Sequence, residues 1–179
     1  MYSVFSNVRT IGDFFRSIKW AWQRATKGYC ELDTYSVSDW FLNTLPDMLE
    51  EIKKNYTGYP DELTEQEWNE ILSRLTFLLR EANKDTCTKV NPYESEYSRI
   101  SDEFRKKYGE WGEKLLTDEE KAEAKKTGSS RIYFPSDMPE YKDICELHSE
   151  EERKLNAYRE QCNNEALELF SKWFYRLGF

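Results

Sequence analysis

Glycine and proline are scarce in this chain, with seven and five among 179 residues. Repeated tight turns depend on those residues, so an all-β sandwich or barrel is a poor fit. Histidine occurs once, as His148, and the four cysteines (Cys30, Cys87, Cys145, Cys162) form no C-x-x-C pair. A single imidazole rules out the paired Glu-x-x-His motifs of a carboxylate-bridged di-iron bundle. No four-ligand zinc spacing is present either. Both common glycine-rich phosphate loops are missing, as is the G-x-S-x-G turn of a serine hydrolase. No stretch approaches the roughly 18 consecutive apolar residues of a membrane span. The opening Met1-Tyr2-Ser3-Val4-Phe5-Ser6 lacks the basic start and apolar run of a secretory leader. These absences predict no enzyme, no metal, no cofactor, no membrane partner and a reduced, cytoplasmic setting.

Aromatic residues, by contrast, are abundant. Six Trp, twelve Tyr and ten Phe make up 16% of the chain, a composition that disordered segments do not have. A mass of 21.5 kDa suits one domain with a sizeable core. Charge is plentiful and uneven. Arg9, Arg16, Lys19, Arg24 and Lys27 against Asp13 alone leave the first 30 residues at +4, so the other 149 carry −12 of the total −8. That balance argues against direct nucleic-acid binding by the whole surface.

Apolar periodicity predicts an all-α fold: a helical bundle of about five helices with a long C-terminal helix and an irregular insertion over residues 84–139, in one domain spanning 1–179. A first helix from Asp13 to Lys27 has a capping box at Thr10 and Asp13 and stops at Gly28. Its Phe14, Phe15, Ile18, Trp22 and Ala25 share a face and are expected in the core. A second helix spans Ser38 to Asn55, with a kink or break at Pro46. Asn55 to Pro60 reads as a loop. Thr64 and Glu67 form a second capping box ahead of Trp68, Ile71, Leu72, Leu75, Leu78, Leu79 and Ala82, about five amphipathic turns. Tyr97, Ile100, Phe104, Tyr108 and Trp111 predict a helix near 94–111. Thr117 caps a solvated helix over 118–126. Arg131 to Phe134 reads as a short strand or an apolar anchor. From Glu140 to Leu177 the period is helical throughout, either unbroken or interrupted near Ser149.

The chemistry-bearing residues are few. Glu150-Glu151-Glu152 and Asp118-Glu119-Glu120 read as acidic runs at helix starts, where they complement the helix dipole. Cys145, His148 and Glu152, three and four apart, would lie along one helical face. More often such a face is packing plus solvent than a metal site. The basic-aromatic first helix is the best positive feature. Arg16, Lys19, Trp20, Arg24 and Lys27 combine cations with π-faces at helical spacing, and could hold a nucleotide-type small molecule by charge-assisted hydrogen bonds and stacking. The plain alternative is that these cations pair with acidic surfaces nearby. A surface carrying −12 outside this helix also invites comparison with nucleic-acid mimics, against ordinary solubility.

Three segments resemble a family. They are Lys19-Trp20-Ala21-Trp22-Gln23-Arg24 through Gly28-Tyr29; Gly58-Tyr59-Pro60 leading to Leu63-Thr64-Glu65-Gln66-Glu67-Trp68-Asn69-Glu70-Ile71-Leu72; and Leu167-Glu168-Leu169-Phe170-Ser171-Lys172-Trp173-Phe174. The chain resembles small acidic helical proteins encoded by phages and prophages, over residues 16–83 and 150–177. The helix around Pro46 departs from them in being more polar. The resemblance implies a mobile-element origin and an accessory role inside a bacterial cell, and it transfers no catalytic residue. The combined expectation is a non-enzymatic protein that binds a host target, with inhibition of a defence component as one form of that role. A nucleotide sponge is the alternative and an acidic mimic the next. Self-association is compatible with each.

Overall fold

The computed structural model describes residues 10–55 and 58–177. Among these the chain is all-α: six helices, four short 3-10 turns and no strand. The helices are α1 (Ile11–Lys27), α2 (Val37–Asn55), α3 (Glu65–Ala82), α4 (Glu94–Tyr108), α5 (Asp118–Thr127) and α6 (Lys142–Trp173). They form two compact units. One runs up to Thr88 and resumes at Tyr158, and the other is Lys89–Ala157.

The first unit is organised on α3. Thr64 accepts the Glu67 backbone N–H while the Glu67 carboxylate accepts the Thr64 N–H at 2.8 Å, so two orphan donors are satisfied at the helix start. Leu72, Leu75 and Leu79 of its stripe are buried with Leu49 of α2 and with Cys162, Ala166 and Trp173 of α6. Burying each leucine stabilises the unit by about 2 kcal/mol. Trp68 meets Trp173 edge-on at 5.6 Å between ring centroids. Pro46 does not break α2, which is helical from Val37 to Asn55. The proline removes one backbone donor, and the burial of Pro46 and Leu49 together with the packing of Leu45 holds the helix through that loss. Tyr56 and Thr57 of the expected loop lie outside the described residues.

The second unit has its own core of Ile100, Phe104, Tyr141 and Cys145. Helix α4 ends three residues earlier than the aromatic spacing suggests. Gly109 follows at a φ of +95°, and Trp111 lies outside the helix and exposed. Gly112 sits at φ +71°, where a Cβ would come within 2.6 Å of the Tyr133 Cβ, so only glycine lets these two segments approach. Arg131 to Phe134 is an anchor rather than a strand. Tyr133 donates its backbone N–H to Trp111 O at 3.1 Å and its hydroxyl to Glu120 at 3.1 Å. Helix α5 buries no residue, as its lack of an apolar face predicts. Ser149 interrupts nothing. Helix α6 runs for 32 residues, about 48 Å at the standard rise. Glu150-Glu151-Glu152 therefore lies inside a helix and not at its start, with Glu150 and Glu151 paired to Lys154 at 3.2 and 3.3 Å. Gly178, the expected stop, lies outside the described residues.

Candidate partner-binding helix and adjoining cleft

Helix α1 forms as the sequence predicts and is mounted the other way round. The Asp13 backbone donates to Thr10 Oγ1 at 3.1 Å, the Thr10 N–H donates to Asp13 at 3.0 Å, and Gly28 closes the helix at a φ of +79°. The expected core face, Phe14, Phe15, Ile18, Trp22 and Ala25, is exposed. Phe15 is 66% accessible, Trp22 70%, and Ile11 at the same stripe 79%. At 100° per residue these side chains cover a stripe about 100° wide. The inward face consists of Asp13, Ser17, Trp20, Ala21 and Arg24, with Ser17 the buried member. Periodicity groups residues onto a face, and tethering decides which face turns inward. Here the tether is polar. Arg24 grips Asp33 with two guanidinium nitrogens, one of them Nε at 3.0 Å from Oδ2, and Asp33 also accepts the Cys30 N–H at 2.7 Å. The Arg24 hydrogen bond holds the Asp33 carboxyl below its ordinary range against the opposing effect of burial, and Asp33 raises Arg24 in return.

The five residues read as a ligand stripe do not meet at one site. Arg16 pairs with Asp13 at 3.0 Å within the helix. Lys19 bonds both oxygens of Glu31 at 2.8 and 2.9 Å, and Gln23 adds a third bond to Glu31 at 3.1 Å. The hydrogen bond from Lys19, then that from Gln23, lowers the Glu31 pKa. Lys27 is exposed at the helix end and Trp20 is half-buried on the inward face. Only Arg24 reaches the adjoining cleft, a space of about 790 Å³ bounded by the end of α1, the turn Glu31–Thr34 and α2. Asp33, Asp39, Asp47 and Glu51 line it beside Trp40. Four carboxylates against one guanidinium give this cleft the wrong charge for a phosphate group.

Elsewhere, Cys145 is buried in the second unit's core, and burial pushes its thiol pKa up, away from the thiolate a nucleophile needs. It does not join His148 and Glu152. Instead Glu94, 54 residues distant from His148, supplies the third group: His148 Nε2 lies 2.9 Å from Glu94 Oε2. The i, i+4 spacing of His148 and Glu152 is readable in the sequence, and nothing local announces Glu94. Sequence reasoning also missed Glu81. It lies off the α3 stripe and is only 1% exposed. The turn after α3 brings it the Thr88 N–H at 3.0 Å and the Thr88 hydroxyl at 3.0 Å, and Tyr158 donates at 2.9 Å. Burial acts to raise the Glu81 pKa, but the bonds from Thr88, Tyr158 and Cys87 outweigh it and the net shift is downward.

Searches of protein-family models, curated proteins and solved structures found nothing that matches this chain.

Proposed function

We propose that this chain is a non-enzymatic binding protein that lays the apolar stripe of α1 into an apolar, acid-rimmed groove on a protein partner. The observation that carries the proposal is the orientation of α1, with Ile11, Phe14, Phe15, Ile18 and Trp22 turned outward. Helix-in-groove recognition uses anchors at this spacing. Charge complementarity selects the partner. The first 30 residues, which include the stripe, carry +4 on a protein whose remaining 149 residues carry −12. Lys19 flanks the stripe, while Arg16 and Lys27 lie on the far side of the helix. A second copy docked through the same helix would set this positive segment against itself. A plane of anionic lipid would meet the acidic body as well as the helix, whereas a groove engages the helix alone. The phage-type resemblance supports a host protein as the partner, and a defence component as the target whose inhibition would serve a phage.

The test is site-specific photocrosslinking in bacterial cells from position 22, with position 123 on α5 as the control. One heterologous protein crosslinked from position 22, lost in Phe15→Glu and weakened by salt, supports the proposal. Crosslinks to the chain's own copies alone would refute it. So would sedimentation with anionic vesicles in the absence of any crosslinked protein.

A further inference from the structure

We infer that Glu94, His148 and Glu152 form a binding site for a first-row divalent cation of the Zn²⁺ type. One donor atom from each residue lies within 4.8 Å of the other two. Glu94 opens α4, and His148 and Glu152 sit one turn apart on α6, so two helices deliver the set and all three residues belong to the second unit. Ions with bonds of about 2.0–2.2 Å hold neighbouring ligand atoms roughly 3–3.5 Å apart. The His148–Glu94 separation of 2.9 Å is already near that spacing, and a Glu152 oxygen stands within 4.8 Å of both other donor atoms.

Two further contacts fix the donors. The Tyr97 ring stacks on the imidazole at 4.0 Å between centroids and 11° between planes, leaving the His148 side chain 13% exposed. Asn91, itself buried, donates its amide to the His148 carbonyl at 3.0 Å and to Glu152 Oε1 at 3.3 Å. Its own Oδ1 accepts the Tyr93 N–H at 3.0 Å. Orientation of ligands by such outer partners is the usual construction of a metal site. A plain hydrogen bond would need less, because one imidazole N–H is satisfied by one carboxylate. Here Glu152 converges as a third protein donor, the number an open zinc site uses beside water. The mixed imidazole and carboxylate donors favour Zn²⁺ or Co²⁺ over Ca²⁺ and Mg²⁺, which prefer all-oxygen shells. This inference is independent of α1 and its partner.

The experiment is calorimetric titration of the full, reduced chain with Zn²⁺, with Co²⁺ absorption reporting the donor atoms. One-to-one binding is expected, abolished in His148→Ala and weakened about tenfold or more in Glu94→Gln and in Glu152→Gln. Asn91→Ala keeps all three donors and should still weaken binding about tenfold as a positioning residue. Glu94 is 66% exposed, so its variant keeps the fold, and circular dichroism verifies this for all four. The inference is overturned if His148→Ala binds like the parent, if Co²⁺ reports thiolate coordination, or if one-to-one binding tighter than about 1 mM is absent. Loss on removing His148 with both carboxylate variants unaffected would also overturn it, since a lone surface imidazole explains that result.

Discussion

Helices α1 and α3 are nearly matched in sequence grammar and opposite in placement. They have 17 and 18 residues, each begins with a threonine capping box, and each carries one apolar stripe. The α3 stripe is the centre of the first unit's core, with Leu75 and Leu79 at 0% exposure, while the α1 stripe faces outward. The difference lies in what surrounds the stripes. Helix α3 has apolar faces of α2 and α6 to pack against. Helix α1 is held by Arg24 and Asp33 on its polar side, which leaves its apolar side for something else. An amphipathic pattern therefore establishes that a face is suited to being covered, and the covering element has to be found separately.

Truncation on α3 is the largest effect the comparison predicts. Leu75→Ala should cost about 3 kcal/mol in urea unfolding, since the side chain is fully enclosed and the surrounding helices close the cavity only partly. A cost below about 1 kcal/mol would mean that this helix is no better packed than α1.

Glu81 sharpens the comparison from the polar side. Glu81→Ala removes the acceptor for the Thr88 N–H and the Tyr158 hydroxyl and should cost about 2 kcal/mol. Its pH dependence has a definite sign. The folded-state pKa lies below the ordinary 4.5, so near and below that value the unfolded chain binds the proton first. The Glu81 contribution is complete above about pH 4.5 and is lost as pH falls through the lower folded value. Acid unfolding of the parent and of Glu81→Gln should thus converge at low pH. Parallel curves down to the acid limit would show that the carboxylate contributes nothing through its charge.

The sequence carried the helices and their caps further than it carried their placement. Thr10, Thr64 and Thr117 mark three starts, and Gly28 marks one end, because capping is decided by neighbours three or four residues away. The end of α4 was missed because Trp111 keeps the helical period after Gly109 has left helical geometry. The break that Pro46 suggests does not occur, because the packing of Leu45 and Leu49 that holds the helix is tertiary. The same limit governs the sites. Arg16 and Lys19 are readable as cations, but Lys19 meets Glu31 through a turn of the chain that periodicity does not describe. Glu94 meets His148 across 54 residues, and only folding brings them together.

The smallest stability effect tests the comparison most directly. Trp22→Ser and Phe15→Ser remove large apolar side chains, yet each is more than half exposed in the folded chain. Their loss should change the unfolding free energy of the isolated protein by no more than about 0.5 kcal/mol, the usual range for surface positions without special contacts. The same variants should abolish partner crosslinking from α1, because anchor residues of a helix-in-groove interface carry much of its binding energy. Stability and binding thus move independently at α1, while at Leu75 stability is lost outright. If Trp22→Ser instead destabilises the isolated chain as strongly as Leu75→Ala, the α1 stripe is already covered in solution and the outward orientation is not a binding surface.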